Sequence, residues 1–495
     1  MNKKNEESNL VFYVSVIIVF LVVFWGVFAP NNFDMVANGL FEFLVTRFGW
    51  LYLMSMFFFV TFTLIIAFSK YGQIRLGEDD SRPEYSNVSW FAMLFSAGMG
   101  IGLVFWGVAE PLNHFVNPPN LTGGTAEAAN FALRTSFFHW GIHPWANYSI
   151  LALALAYFQF RKGKPGLVSS IFIPLIGEKR AGGIIGQLID ILAICATVAG
   201  VATSLGLGTL QINSGLNYLF GLPQNTVIQL LIIGVVTVLF MISAVSGLDK
   251  GIKILSNTNL IIALVLMVLA LILGPTVKIV NALTNNFGAY LGDVVRRSFH
   301  IRPFGDNTWI GDWTIFYWAW WIAWAPFVGT FIARISRGRK IKEFIIGVTV
   351  IPSLGSFIWF ATFGTLGIDL GLEIASKAVE VTETAFFVVV NHYPLGRLIS
   401  FVAVVLLCTF FVTSADSATF VLGMMSSNGD LRPTTKRKVT WGVVQSLLAL
   451  TLIVAGGLQT LQIASIAAAF PFTIVMVLAC ISLLKALRKD PFLKK

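Results

Sequence analysis

The chain has 495 residues, 56% of them apolar and only 12% charged, with a formal net charge of +10. Apolar runs of 18 or more residues recur along its whole length, which excludes a soluble globular protein of this size. The basic excess is confined largely to short polar connections between those runs, so it reads as a topology signal and not as a nucleic-acid footprint.

Twelve membrane spans are expected, roughly at 9–29, 49–69, 88–112, 131–159, 185–216, 226–246, 255–276, 311–336, 343–365, 395–424, 439–457 and 461–485. The first follows a short polar start and has no small-residue cleavage site, so it is expected to be retained as a helix. An even number of spans puts both termini on one side. Of the 34 Lys and Arg residues, 26 fall at the termini or in even-numbered loops. The other eight are Arg47, Arg134, Lys278, Arg296, Arg297, Arg302, Lys377 and Arg397. That bias predicts cytoplasmic termini. Cys195, Cys408 and Cys480 lie scattered in apolar segments and imply neither a disulfide framework nor a metal site.

Span three contains SAGMGIGLVFWGVAEP, with Gly98, Gly100 and Gly102 at every second position. Alternate glycines let a backbone unwind and approach a ligand, or let a neighbouring helix pack closely. An unwound stretch at this depth is tolerated only where it lines an enclosed site. Span four contains FFHWGIHPWANYSILALA. Trp140, Trp145 and Tyr148 share an arc of about 140° on a helix, and Pro144 loosens the backbone among them. His139 and His143 stand four residues apart, a spacing that can hold a metal. With no third or fourth ligand nearby, they are read as packing or hydrogen-bonding groups.

Two connections are long. Residues 277–310 contain an apolar pattern at helical spacing and resemble an amphipathic helix on the outer surface. The stretch 367–394 holds a second candidate surface or re-entrant element. Neither is large enough for a nucleotide-binding domain, and there is no Walker-type glycine loop. Direct ATP drive and enzymatic activity are not expected. A channel, a facilitator or an ion- or solute-coupled transporter is.

Span eight carries WTIFYWAWWIAWAPFVGTF, with four tryptophans between Trp318 and Trp324 and no charged side chain. Trp320, Trp321 and Trp324 fall within an arc of about 100°, with Tyr317 inside it. Aromatic belts sit at helix ends, whereas this cluster sits at the centre. Besides ordinary aromatic packing, such a π-wall suits a quaternary ammonium solute, which has no proton to give and is recognised by aromatic faces. Facing walls on spans four and eight would form one box. Span ten adds FFVTSADSATF, in which Phe410, Thr413 and Ser414 lie on one face. Their oxygens, with carbonyls freed near Ser96 and Met99, would make a neutral cage suited to Na⁺, although such hydroxyls also commonly bond to the preceding helical turn. Glu110, Asp190, Asp416 and Arg134 are the main charges inside the spans, each a functional candidate by position. None lies in the aromatic stretch, and no carboxylate counter-ion is required.

These motifs, taken together, resemble the betaine/choline/carnitine transporter family, particularly its sodium-coupled glycine betaine members, over nearly the whole chain. The resemblance implies an all-α polytopic membrane protein with two inverted five-helix repeats preceded by two extra helices. Its boundaries here would be 1–87 for the tail and two accessory helices, 88–276 and 311–485 for the repeats, 277–310 for the external connector, and 486–495 for a short basic tail. It implies a trimer in the cell membrane, in contact with lipid, working by alternating access. It further implies substrate contact at Trp140, Trp145, Tyr148, Trp320, Trp321 and Trp324 beside the glycine run. One Na⁺ would take the carbonyls of Ser96, Met99 and Phe410 and the hydroxyls of Thr413 and Ser414, and a second Na⁺ would use residues of span five, with Thr197 as the candidate. Gly102 stands where proton-coupled choline importers carry an acid, and the Thr413–Ser414 pair is intact, which points to Na⁺-coupled import of glycine betaine. A choline importer, a carnitine/betaine exchanger and a sodium-coupled amino-acid symporter are the alternatives. With a short C-terminal tail, strong tail-dependent osmotic regulation is not expected.

Overall fold

The computed structural model describes the backbone of residues 3–98, 100–246 and 249–494; the side chains of residues 3–8, 95–98, 249–253 and 494 lie outside the described set. The described residues form helices joined by turns and loops, with one isolated antiparallel bridge between Arg75 and Lys340. In chain order the helices are α1 (Lys3–Phe28), α2 (Pro30–Phe68), α3 (Asn87–Gly98), α4 (Ile101–Val116), α5 (Ala126–Trp140) and α6 (Ile142–Ala156). Two single turns follow, α7 (Ile173–Ile176) and α8 (Glu178–Ala181), then α9 (Ile184–Phe220), α10 (Thr226–Ser246), α11 (Asp249–Leu273) and α12 (Thr276–Ser298). The remainder comprises α13 (Phe316–Ile335), α14 (Ile341–Asp369), α15 (Gly371–Val379), α16 (Ala385–Val390), α17 (Gly396–Met425) and α18 (Thr435–Leu487).

Among the described residues, nine helices are long and apolar enough to cross a membrane. With an exterior carrying exposed Phe, Leu, Ile and Val along α1, α2, α10 and α11, the protein is a multi-pass membrane protein. α10 begins where its apolar run does, because the left-handed Gly221 closes α9 and Pro223 keeps the next residues from extending it. α2 departs from expectation. It starts at Pro30, not near residue 49, and its 39 residues reach about 58 Å. The extra turns, PNNFDMVANGLFEFLVTRF, mix polar and apolar residues, so hydropathy alone hid them. α18 runs from Thr435 to Leu487 but is kinked at Gly456 and Gly457, whose torsions are non-helical (φ −174° and +63°).

Two of the expected spans are broken. α3 stops at Gly98 and α4 starts after Gly100, whose extended torsions (φ −143°, ψ −154°) interrupt the helix. α5 and α6 part at Gly141, three residues before Pro144. A Cβ there would lie 2.6 Å from the Phe137 carbonyl oxygen and 2.9 Å from the Phe357 ring, so the break needs glycine. α12 hydrogen-bonds α6 through Tyr290, whose hydroxyl accepts from the Ile142 N–H at 3.1 Å. Asp190 is buried but satisfied, accepting from the Ser169 N–H (2.9 Å) and hydroxyl (2.7 Å), which makes it a tie for the turn before α7. Arg134 approaches Asp293 of α12 at 4.0 Å.

Beyond the helix ends, Arg161 collects the chain's polar connections. Its guanidinium donates to both Asp490 oxygens (2.7 and 2.6 Å), to Asp79 (2.8 Å) and to the Gly77 carbonyl (2.8 Å). Tyr157 donates to Asp490 at 2.7 Å. Burial alone would raise the Asp490 carboxyl, but these donors and the Phe492 N–H hold it well below the ordinary carboxylate range. The short C-terminal segment is thus fastened to the loop after α2 and to the end of α6.

Candidate functional site

The aromatic stretch enters through a π-helical turn, Ile310–Ile315, and continues as α13. Trp320 and Trp321 are adjacent in sequence, yet their rings lie nearly parallel, with centroids 4.8 Å apart and planes 16° from one another. Phe316 stacks on Trp320 at 5.6 Å, Tyr317 on Trp321 at 5.9 Å, and Trp324 stands edge-on to Trp320 at 6.4 Å. Trp318 points elsewhere and stacks on His143 at 5.0 Å. The four tryptophans therefore divide into a face of three and an outlier.

The wall from α5 and α6 meets that face directly. Trp140 packs edge-to-face on Trp321 at 4.8 Å and lies 6.2 Å from Trp320. Tyr148 approaches Trp321 at 6.3 Å and carries Trp145 beside it at 5.6 Å. All of these rings except Trp324 are buried, with Trp324 half-buried. Edge-to-face pairs of this kind contribute about 0.5–1.5 kcal/mol each beyond burial. In this conformation the two walls are closed on one another.

Two indoles of the α13 face are also aimed by a polar contact, whereas the Trp320 Nε1–H has no hydrogen-bond partner among the described residues. The Trp321 Nε1–H donates to the His139 carbonyl at 3.0 Å, and the Trp324 Nε1–H donates to the Gly200 carbonyl of α9 at 2.7 Å. Gly200 has to be glycine for that approach, since a Cβ would lie 2.6 Å from Trp324 Cδ1. Gly102 has the same relation to the box. A Cβ on it would fall 2.6 Å from Trp320 Cη2 and 3.3 Å from Trp140 Cη2, so the third glycine lets α4 touch both walls at once.

Sequence reasoning missed how the walls are tied together. Glu110 of α4, fully buried, accepts from the Trp140 Nε1–H (2.8 Å) and the Tyr317 hydroxyl (2.6 Å) through one oxygen. Its other oxygen lies 2.7 Å from His139 Nδ1, whose ring reaches the Thr314 hydroxyl at 2.9 Å through Nε2. A carboxylate thus braces the aromatic box from behind. Its signal in the sequence was only that it is charged and inside a span, because its partners lie 29, 30 and 207 residues away. His139 and His143 do not act as a pair: His143 turns to Ser298 of α12 at 2.8 Å, while His139 joins Glu110.

For the expected cation cage, Thr413 of α17 donates to the Thr409 and Phe410 carbonyls at 3.1 and 3.2 Å and accepts from Asn259 of α11 at 3.4 Å. Ser414 faces the start of α4, its hydroxyl 3.9 Å from where a Gly100 Cβ would stand. Thr197 bonds back to Ala193 at 2.8 Å, one turn before Gly200. Met99 and the Ser96 side chain lie outside the described residues, and Gly98 is the last residue of α3. Asn259 was not anticipated. It is buried, and its side-chain carbonyl has no hydrogen-bond partner among the described residues.

Comparison with known proteins shows the family. A family model described as "BCCT, betaine/carnitine/choline family transporter" matches residues 10–492. The chain is 51% identical over 489 residues to the glycine betaine transporter OpuD of Bacillus subtilis, covering 98% of this chain and 95% of that protein. It is 48% identical over 493 residues to a probable glycine betaine transporter of Desulfitobacterium hafniense (98% and 99%). It is 44% identical over 492 residues to an ectoine/hydroxyectoine transporter of Virgibacillus pantothenticus (98% of each). With an all-helical membrane body, a buried aromatic box between broken helices and likeness over nearly its full length, the chain belongs to the betaine/carnitine/choline family of transporters, and is not an enzyme.

Proposed function

We propose that the chain is a sodium-coupled symporter that imports a trimethylammonium osmolyte such as glycine betaine by alternating access. The observation that carries the reading is the meeting of Trp140, at the end of α5, with Trp320 and Trp321 at 4.8–6.2 Å, inside the buried Ile310–Ile335 span. A cation between such faces gains up to about 2 kcal/mol per ring once desolvated. The first amides of α4, which have no side-chain cap at Gly100, are the donors for a substrate carboxylate, because a helix start favours negative charge. Thr413, Ser414 and the Phe410 carbonyl, with carbonyls near Ser96 and Met99, form the Na⁺ cage that draws α17 toward α4; Thr197 belongs to a second Na⁺ position.

The same reading counts twelve spans. The nine long helices become ten when α18 is divided at Gly456 and Gly457, and the α3–α4 and α5–α6 pairs supply two more. Residues 88–276 and 311–485 form two inverted five-helix repeats after two accessory helices, with both termini cytoplasmic and three copies assembled in the membrane. The first helix of each proposed repeat is irregular, broken at Gly100 in one and π-helical before Phe316 in the other, as expected of helices that hold substrate.

The relative that carries ectoine favours a second reading, in which a ring bearing a delocalised cation and a carboxylate uses the same box. Uptake of labelled betaine, choline, carnitine and ectoine into proteoliposomes, with Na⁺, proton and counter-solute gradients imposed separately, tests both. Betaine accumulation driven by inward Na⁺ supports the proposal. Accumulation driven only by protons or by a counter-solute overturns the coupling, and preference for ectoine replaces the substrate.

A further inference from the structure

Behind the box, Glu110 and His114 of α4 and His139 of α5 bring three metal-ligating atoms within 4.8 Å of one another, all fully buried. His114 Nε2 lies 3.5 Å from Glu110 Oε1, and neither of its ring nitrogens has a hydrogen-bond partner among the described residues. A fully buried imidazole left without partners is costly, and this one is packed against Trp313 at 4.4 Å with Nε2 toward the carboxylate.

We propose that Glu110, His114 and His139 form a binding site for a divalent transition-metal ion of the Zn²⁺ class. Two imidazoles and a carboxylate are a donor set for such ions, and imidazole nitrogen selects them over Na⁺, Mg²⁺ or Ca²⁺. Tetrahedral ligands at about 2.1 Å from the ion stand roughly 3.4 Å apart. The His114–Glu110 separation of 3.5 Å already meets that spacing. The His139–Glu110 contact of 2.7 Å has to open by about 0.7 Å as the ion replaces the proton between them. Thr314 permits that exchange. Its hydroxyl donates to His139 Nε2 when Nδ1 carries the proton and accepts from Nε2–H when Nδ1 holds the ion, the outer contact that commonly fixes a ligating histidine. A fourth position is left for water or an anion.

The ion would bear on transport because the same Glu110 holds Trp140 and Tyr317 through its other oxygen. If the box carries a cationic substrate, as proposed above, a dication behind it weakens substrate binding and substrate weakens the ion equally.

The test is a titration of metal-stripped, full-length protein in nanodiscs with Co²⁺, followed by displacement with Zn²⁺. Saturable uptake of one Co²⁺ per chain, with the intense visible absorption of a four- or five-coordinate N/O site, is expected, and His114→Ala or His114→Gln should weaken it at least tenfold. Weak six-coordinate absorption, no saturation in the unmodified protein, or unchanged affinity in the variants would overturn the site. Metal binding is read without transport, so this result stands apart from the substrate assignment. In uptake assays Zn²⁺ should raise the half-saturation of the unmodified protein and leave that of His114→Ala unchanged.

Discussion

Gly102→Ala separates the local demands of α4 from the geometry of the box. Within a helix the change should be favourable by about 1 kcal/mol, because alanine restricts the unfolded backbone and glycine does not. The added methyl, however, would stand 2.6 Å from Trp320 Cη2 and 3.3 Å from Trp140 Cη2. Trp320 must retreat by about 0.8 Å to reach ordinary contact, and it is fixed between Phe316 and Trp321 in a stack that offers no slack. Overpacking of this order costs roughly 1–3 kcal/mol. Because the strain falls on the two rings assigned to the ammonium head, it is expected to appear as lost affinity: at 1.4 kcal/mol per tenfold, half-saturation for betaine should rise about tenfold or more. Labelled betaine uptake in proteoliposomes, alongside the thermal transition of the purified variant, measures both quantities. A transition at or below that of the unmodified protein, because the overpacking cost equals or exceeds the helix gain, with a raised half-saturation is the expected pair. An unchanged half-saturation would refute the assignment of Trp320 and Trp140 to the substrate.

Trp324→Ala removes one π face and the hydrogen bond to Gly200, and should raise half-saturation for betaine about 30-fold, from about 2 kcal/mol of cation–π attraction. Equilibrium binding of labelled betaine reads this directly. The double variant Thr413→Ala, Ser414→Ala should raise the Na⁺ concentration needed for half-maximal uptake by about tenfold or more, since each hydroxyl bonded to a charge contributes about 1.5 kcal/mol; unaltered sodium dependence rules the cage out. Asp490→Asn strips the buried partner from Arg161 and should destabilise the protein by about 3 kcal/mol. The Asp490 carboxyl is held below its unfolded value, so its contribution is complete above that value and is lost as pH falls through the folded one. The gap in thermal stability between the two proteins should stay constant from pH 5 to 8 and close only below about pH 4.

What was legible in the sequence followed from periodicity and from glycine. The alternation of Gly98, Gly100 and Gly102 announced the break between α3 and α4, and the clustering of Trp320, Trp321 and Trp324 announced one face of α13, because both are properties of a single local stretch. Trp318 shows the limit: it belongs to the same seven residues but serves a different neighbour, His143. The break at Gly141 was only partly visible, through Pro144. The first half of α2 was hidden because its exposed polar residues dilute the hydropathy that marks a span. Glu110 was recognised as a charge inside a span but not as the brace of the aromatic box. Its partners come from α5 and α13, and no local spacing brings Trp140 and Tyr317 to one carboxylate. Asn259 beside Thr413 was missed for the same reason, being a contact across 154 residues.

The account stands on aromatic recognition of a methylated cation, and the most direct measurement is a tryptophan-fluorescence titration of the purified protein with glycine betaine, with and without Na⁺. It predicts a saturable change that tightens with Na⁺ and moves to about 30-fold higher betaine concentration in Trp324→Ala. No saturable change with any trimethylated solute, in either ionic condition, would contradict it.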